Sequence, residues 1–362
     1  MERVNIFGLT LPQLEQAVLD AGLQRYRADQ IFYWLYNRCA KSFDEMTQLG
    51  KAARSTLSER FDIVHPEVVR EQRSVDGTRK FLLRMQDGLC VEAVLIPSEN
   101  AEARASGRLT LCISTQVGCA LDCAFCATAS LKLKRDLTPG EILGQYLVIR
   151  ELPDRRVTNI VLMGMGEPLL NYENVMKALD ILRHEKSCAV AASRITISTS
   201  GIVPGIIRMA DDGRREKLAL SLHAATDEVR SSLMPVNRRY GLVSIREALM
   251  YYYKRTRRRV TFEYILFDGL NDGPDDIRRL VKLCRTIPSK LNLIPFHDVT
   301  AVRPRGASMH LLPAPIERVH AFADALRERN ITVMLRSSSG YDIDAACGQL
   351  AGKAGSGGTS DV

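Results

Sequence analysis

Three thiols stand in the run Cys119-Ala120-Leu121-Asp122-Cys123-Ala124-Phe125-Cys126. At this CxxxCxxC spacing they can hold three irons of a cubane 4Fe-4S cluster and leave the fourth iron without a protein ligand, open for chemistry. The spacing departs from the four-thiolate runs of electron-transfer ferredoxins and of structural zinc sites, which favours catalysis over wiring. A zinc site, chance packing or a disulfide are the lesser readings. Two further cysteines stand apart. Cys112 lies inside a strand-like run just before the motif, and Cys347 sits in Asp342-Ile343-Asp344-Ala345-Ala346-Cys347-Gly348-Gln349-Leu350. A lone cysteine usually packs as a small hydrophobe. Acids before Cys347 and glycine after it nevertheless make a polar, bendable setting that favours exposure and reaction. Cys39, Cys90, Cys188 and Cys284 lie in helical or strand contexts and read as core or incidental residues.

Other polar residues fall where strands are expected to end. These are Gly164-Met165-Gly166-Glu167-Pro168, Ser198-Thr199-Ser200-Gly201, Ser221-Leu222-His223 and Phe296-His297-Asp298. Glycines there let a ligand approach the backbone, and Glu167 can accept hydrogen bonds from a cationic amine. Each has a bland reading as a turn, a helix cap or a buried hydrogen-bonded histidine. Their agreement at one rim carries more than any one of them, because parallel α/β sheets place their reactive groups at the carboxyl ends of strands.

The elements that must position these residues are legible from periodicity. Helical patterns cover 12–21, 28–39, 43–49 and 53–61, with Pro12 tolerated in a first turn. Period-two patterns at 78–85 and 89–96 flank Asp87-Gly88, a hairpin signal. From residue 109, strands (109–114, 158–163, 194–198, 217–222, 260–267, 290–295) alternate with helices (139–151, 171–185, 203–211, 245–253, 274–285), the sign of a parallel sheet. A helix at 316–329 and a strand at 332–336 follow. The expected class is α/β: an incomplete (β/α)6 barrel with a small helical N-terminal domain. The divisions are 1–65 helical, 66–104 strand-rich connector, 105–347 barrel with the Cys347 segment, and 348–362 a largely disordered Gly/Ser-rich tail. A barrel of six strands leaves a lateral gap wide enough for a macromolecular substrate.

Composition agrees with one sizeable catalytic domain and a smaller accessory one: 362 residues, 46% apolar. No apolar run is long enough to span a bilayer. Nine unevenly spread cysteines fit a reducing cytoplasm better than a secreted disulfide framework. The formal charge of +8 suits a polyanionic partner without proving one. The densest basic run, Lys254-Arg255-Thr256-Arg257-Arg258-Arg259, reads either as a solvated helix terminus or as a phosphate contact.

Together these residues resemble the radical S-adenosylmethionine (SAM) RNA methyltransferases that modify an adenosine in the peptidyl-transferase centre of 23S rRNA. The matches are 115–121 with the cluster motif, 163–169, Ser198-Thr199-Ser200-Gly201, Ser221-Leu222-His223, Leu293-Ile294-Pro295, the 342–350 segment and Tyr26-Arg27-Ala28-Asp29-Gln30. They cover nearly the whole chain. The 342–350 segment is specific to this family, whereas CxxxCxxC marks only the wider radical group. The resemblance implies one 4Fe-4S cluster on Cys119, Cys123 and Cys126, and two SAM molecules per turnover. It implies methylation of Cys347, a transient adduct between that methylated residue and the RNA, and Cys112 resolving the adduct by attack on the Cys347 sulfur to leave a disulfide. Glu92 corresponds to the residue proposed to remove the ring proton; an edge-strand surface carboxylate is its bland reading. Gly166, Glu167, Ser198, Ser221, Leu222, His223 and His297 correspond to SAM contacts, with His297 standing where the family commonly has asparagine. Imidazole lacks the amide's paired donor and acceptor. The product implied is 2-methyladenosine, in 23S rRNA before ribosome assembly is complete and in the anticodon loop of tRNA. Pro168 favours this housekeeping branch over the resistance branch that methylates carbon 8. A radical enzyme acting on a small molecule is the alternative outside the family, and would leave Cys112 and Cys347 idle. A flavodoxin-like electron donor, a monomeric state and a cytoplasmic location are further expectations.

Overall fold

A computed structural model describes residues 3–98, 107–152, 156–296, 311–336 and 339–351. His297, most of the polar stretches at 100–107 and 303–315, and the tail from 352 lie outside the described residues.

The chain opens with a two-residue strand, β1 (Val4–Asn5), and three helices, α1 (Leu11–Asp20), α2 (Arg27–Tyr36) and α3 (Lys51–Arg60), closed by β2 (Phe61–Asp62) pairing parallel to β1. Helix α1 starts where Thr10 and Gln13 form a capping box, with Pro12 in the first turn where it forfeits no helical bond. The helix expected over 43–49 is a single 3-10 turn, Phe43–Glu45. Its apolar residues Phe43, Met46 and Leu49 are buried three apart, but Glu45 turns back to Lys41 N and Ser42 Oγ and the backbone unwinds at Met46. This unit sits on the main domain. Its Gly8 lies so close to Gly140 that a Cβ would stand 2.4 Å from the Gly140 nitrogen, and Lys186 bridges to Asp29 at 2.7 Å.

Strands β3 (Glu67–Arg73), β4 (Arg79–Arg84) and β5 (Cys90–Pro97) form an antiparallel meander. They are continuous with the barrel sheet, because β5 pairs with β6 (Leu109–Cys112), Val94 opposite Cys112. The hairpin β7 (Gln116–Val117) and β8 (Arg135–Asp136) brackets the three-thiol loop. After helix α4 (Pro139–Arg150) the chain alternates: β9 (Asn159–Leu162), α5 (Tyr172–Arg183), β10 (Ile195–Thr199), α6 (Val203–Asp211), β11 (Lys217–Ser221), α7 (Asp227–Leu233), α8 (Leu242–Thr256), β12 (Val260–Leu266), α9 (Pro274–Thr286), β13 (Ser289–Pro295), α10 (Ile316–Arg327) and β14 (Val333–Leu335).

The sheet order is β14-β13-β12-β11-β10-β9-β6-β5-β4-β3, and all pairings from β6 to β14 are parallel. The six expected barrel strands are joined by β14 as a seventh parallel neighbour. Arg108, before β6, and Arg336, after β14, lie at opposite ends of that parallel set, yet their guanidinium charges act on each other. The sheet therefore curls into a partial barrel. Alternation splits each strand's side chains: Leu109, Leu111, Ile195, Ile197, Leu218, Leu220, Val260, Phe262, Leu291 and Leu293 are buried against the helical layer, and their neighbours face the concave side. Among the described residues no helix is long and apolar enough to cross a membrane.

Candidate active site

The three-thiol loop is locked to the chain on both sides. Gly118, at φ +78°, turns so tightly that a Cβ would lie 1.8 Å from the Lys132 carbonyl, which only glycine permits. Ala124 N–H donates to Leu233 O at 2.8 Å. Beyond the loop, Ala127 N–H donates to Gly348 O at 2.6 Å and Thr128 Oγ1 to Leu350 O at 2.7 Å. The segment bearing Cys347 is thus seated directly on the loop bearing Cys126. Gly348 has φ +87°, and a Cβ there would meet the Phe125 carbonyl at 2.9 Å.

Cys119, Cys123, Cys126 and Cys347 line one cleft at the carboxyl edge of the sheet, together with Gly164, Gly166, Glu167, Ser198, Ser221 and His223. Burial pushes the Cys119 thiol up to about 12 and the Cys123 thiol well up, and each is raised further by the charge of Cys126. Arg230 pulls Cys123 the other way. Three crowded thiols on one fixed loop, Cys119 and Cys123 among them desolvated, need an electrophilic partner to become thiolates together, which is what a bound iron cluster supplies. The donor set fits that group. Among the described residues no three His, Cys, Asp or Glu side chains converge on a single ion.

Glu167 is buried and its pKa is raised by desolvation, against hydrogen bonds that favour the carboxylate. Its Oε1 accepts from Leu169 N at 3.0 Å, and its Oε2 from Ser200 N at 2.7 Å and Ser200 Oγ at 2.9 Å. A carboxylate offers about four acceptor positions, and the Thr199 side chain also bonds to it, so protein donors already surround this group. Gly166, at φ +97°, has no room for a side chain, because a Cβ would stand 2.5 Å from Gln116 Cβ.

His223 takes a left-handed backbone, φ +54°, after β11. Its Nδ1 accepts from Ile265 N–H at 3.1 Å, so the neutral ring carries its proton on Nε2. Burial, then the charge of Arg230, lowers its pKa to about 3. The ring meets Phe125 edge-on at 4.6 Å, which fixes its plane. Ser198 and Ser221 end β10 and β11 on the same wall. Leu222 differs: its side chain is fully buried, and only its backbone is at the rim, donating to Glu263 O and accepting from Arg230.

Cys112 is buried beneath the cleft and pushed up to about 12 by burial and then by the charge of Cys347, so the two thiols stand within electrostatic reach. Cys347 is solvent-exposed at the cleft mouth, yet the protein atoms crowded around its thiol raise it; Arg336 opposes this, while Glu263 and Cys126 add to it. Both are free thiols, as are the other seven cysteines. The disulfide expected from the resemblance is not a feature of this fold, whose C-terminal segment is held instead by backbone hydrogen bonds.

Glu92 is no surface carboxylate. Register places Lys80, Glu92 and Cys112 on one face, and Glu92 is buried. Its Oε2 accepts from Ala351 N–H at 2.8 Å and its Oε1 lies 3.5 Å from Lys80 Nζ, which also donates to Asp344 O at 3.2 Å. Glu92 therefore touches the Cys347 segment from below. At the far end of that segment, Asp342 accepts from Ser74 Oγ and Val75 N.

Three site residues carried no sequence signal. Fully buried Arg230 donates to Leu222 O, Asn237 Oδ1, Ser200 O and Ser221 O, stapling the loops after β10 and β11. Glu263 and Asn292 are inner-face residues of β12 and β13, joined by a 2.9 Å bond from Asn292 Nδ2, and Glu263 lines the cleft. The strand alternation around them was readable; their shared cavity required the register.

A partial barrel with a three-thiol loop at its carboxyl edge defines a radical SAM enzyme, and residues 113–284 match the Radical SAM superfamily. Residues 4–63 match the ribosomal RNA large subunit methyltransferase N-terminal domain. The chain is 46% identical to the dual-specificity RNA methyltransferase RlmN of Geobacter sulfurreducens, over 97% of this chain and 92% of that one. It is 44% identical to a probable RlmN of Christiangramia forsetii, over 96% of each. A radical SAM methyltransferase structure from Sphaerobacter thermophilus superposes with a TM-score of 0.87 at 42% identity, covering 97% of this chain and all of that one. The chain belongs to the RlmN family and is a SAM-dependent methyltransferase.

Proposed function

We propose that this enzyme methylates carbon 2 of an adenosine, in 23S rRNA and in the anticodon loop of tRNA, through a methylated cysteine. The observation that carries the reading is that two further thiols, Cys112 and Cys347, stand within electrostatic reach of each other beside the set of three. A small-molecule radical enzyme has no use for that pair. An adenine carbon flanked by two nitrogens is electron-poor, so ordinary methyl transfer from a sulfonium finds no nucleophile there. A cluster on Cys119, Cys123 and Cys126 with SAM on its open iron would supply, on reduction by an external donor, a carbon radical able to abstract hydrogen.

The chain's own residues set the rest. Glu167 faces the SAM amine, which takes the place of one of its protein donors, and Gly166 lets the methionyl end approach the backbone. Ser198, Ser221 and the Nε2–H of His223 face the ribose and carboxylate. Cys347, exposed at the mouth, carries the methyl to the base, and Cys112 is the thiol that frees the RNA. Glu92 removes the ring proton, which requires that Ala351 release it first. The target is an adenosine presented from a loop, since a base inside a duplex cannot enter a cleft.

The test is an anaerobic reaction of reconstituted protein with reductant, methyl-labelled SAM and unmethylated 23S rRNA fragment or tRNA, read by nucleoside mass spectrometry. Labelled 2-methyladenosine that disappears in C112A and C347A is the expected result. 8-Methyladenosine would refute the regiochemistry, and release of 5′-deoxyadenosine without RNA product would refute the substrate.

A further inference from the structure

Five strands of the barrel repeat one pattern: Arg108-Leu109-Thr110-Leu111-Cys112 on β6, Arg194-Ile195-Thr196-Ile197-Ser198 on β10, Lys217-Leu218-Ala219-Leu220-Ser221 on β11, Arg259-Val260-Thr261-Phe262-Glu263 on β12 and Lys290-Leu291-Asn292-Leu293-Ile294 on β13. The second and fourth residues of each are buried in the apolar layer outside the sheet. The first, third and fifth therefore share the concave face. The fifth residues are at the reaction cleft: Ser198, Ser221, Glu263 and Ile294 line it, and Cys112 lies beneath it. The third are small or polar. The first are all cations, four residues and about 13 Å below the cleft layer.

Register sets these cations side by side. Thr196 pairs with Lys217, Ala219 with Thr261, and Thr261 with Lys290, so β10 to β13 bring Arg194, Lys217, Arg259 and Lys290 to the amino edge as neighbours. Curling of the sheet brings Arg108 to the same group. Lys217 and Lys290 are both held below the ordinary lysine range, by partial burial first; Lys290, Arg108 and Arg194 then act on Lys217, and Arg336, Arg108 and Arg259 on Lys290, where the Glu263 carboxylate opposes them. Among the described residues none of the five makes an ion pair. Glu216, next to Lys217, faces the other side of the sheet and is taken by Arg183 and Arg214. Arg194 donates to Asn159 Oδ1 at 3.4 Å and Arg259 to Ser289 O at 2.8 Å. Arg108, Arg194, Lys217 and Arg259 are exposed, and Lys290 is half-buried.

A fold gains nothing from gathering five like charges, which repel one another at close range. We infer that this ring of cations at the amino mouth of the partial barrel binds the phosphates of a single-stranded RNA segment whose adenosine occupies the cleft above. The inference rests on the RNA reading of the cleft and adds the surface that would hold the strand. Base-independent phosphate contacts of this kind position the strand and leave its sequence unread.

The test is fluorescence anisotropy of the reconstituted full chain with a labelled single-stranded RNA, between about 50 and 200 mM salt. Replacing like charges relieves repulsion, so K217Q/K290Q is expected to fold at least as well as wild type, which its melting curve checks. Its log-affinity against log-salt slope should be shallower by about 1.4, about 0.7 for each phosphate no longer neutralised. K254Q/R255Q, at the exposed end of α8, should keep the wild-type slope. If K217Q/K290Q also keeps it while wild type binds and methylates RNA, the ring falls and the substrate reading stands. Wild type that binds no RNA sinks both. Tripolyphosphate competing as well as RNA at equal phosphate concentration would make the ring a site for free polyphosphate and overturn the RNA assignment.

Discussion

Replacing Arg230 by methionine tests whether one buried cation holds together the loops after β10 and β11. The guanidinium is fully buried and donates four hydrogen bonds of 2.6–3.1 Å, three of them to carbonyls at Ser200, Ser221 and Leu222. Hydrogen bonds to a charged group contribute about 1.5–3 kcal/mol each before the cost of burying the charge. That desolvation cost, several kcal/mol, vanishes in the methionine variant, which also packs apolar volume. Four orphaned acceptors remain. The net loss expected on breaking such a network is about 3–5 kcal/mol. At about 2–3 °C per kcal/mol for a domain of this size, the melting temperature should fall by roughly 6–15 °C. Lysine offers three donors from one point and cannot span all four acceptors, so R230K should lie between. Thermal melts by circular dichroism read the stability of both apoprotein and reconstituted protein, and equilibrium dialysis with SAM reads the loops. R230M melting within about 1 °C of wild type, with SAM affinity unchanged, would refute the stapling role.

His223 should stay neutral through the physiological range. Its folded pKa of about 3 lies below the unfolded value of 6.5, so as pH falls below 6.5 the unfolded state takes up a proton that the native state refuses. Its contribution is intact above about pH 6.5 and is lost toward pH 3, at up to about 1.4 kcal/mol per pH unit. Urea unfolding of H223N against wild type over that window reads the difference, and a ring resonance titrating near 6.5 in the folded protein would contradict it. G348A forces a side chain into the Phe125 carbonyl at a positive φ, so it should lower turnover by an order of magnitude or more through displacement of Cys347, with little change in melting. Equal activity in G348A would mean that the seating of that segment is unimportant. Iodoacetamide should label exposed Cys347 well before buried Cys112, and K80M, which removes the Lys80 contacts to Asp344 O and to the Glu92 carboxylate, should speed Cys347 labelling further; peptide mapping that finds Cys112 first would reverse the assignment.

Much of the fold was readable because periodicity reports burial one element at a time. The strand run 217–222 and the helix 203–211 match β11 and α6 closely, since each alternates or repeats against one apolar layer. The 43–49 segment misled because three apolar residues spaced three apart satisfy a helix and a 3-10 turn equally. The meander over 67–97 reads as an extension, and only its pairing with β6 makes Glu92 a neighbour of the Cys347 segment.

By itself the sequence determined the chemistry on offer: three thiols at cluster spacing, two more within bendable or strand contexts, and glycines and polar residues where strands end. Thiolate spacing is local and survives without knowledge of contacts, whereas the demand for glycine at 166 and 348 comes from Gln116 and Phe125 far along the chain. The tertiary structure decided who meets whom. Cys347 reaches Cys112 across more than two hundred residues, Arg230 finds carbonyls on two separate loops, and five cations scattered from 108 to 290 become one ring. Those encounters depend on strand order and on the curl of the sheet, which no single stretch of sequence encodes, because register is a relation between strands.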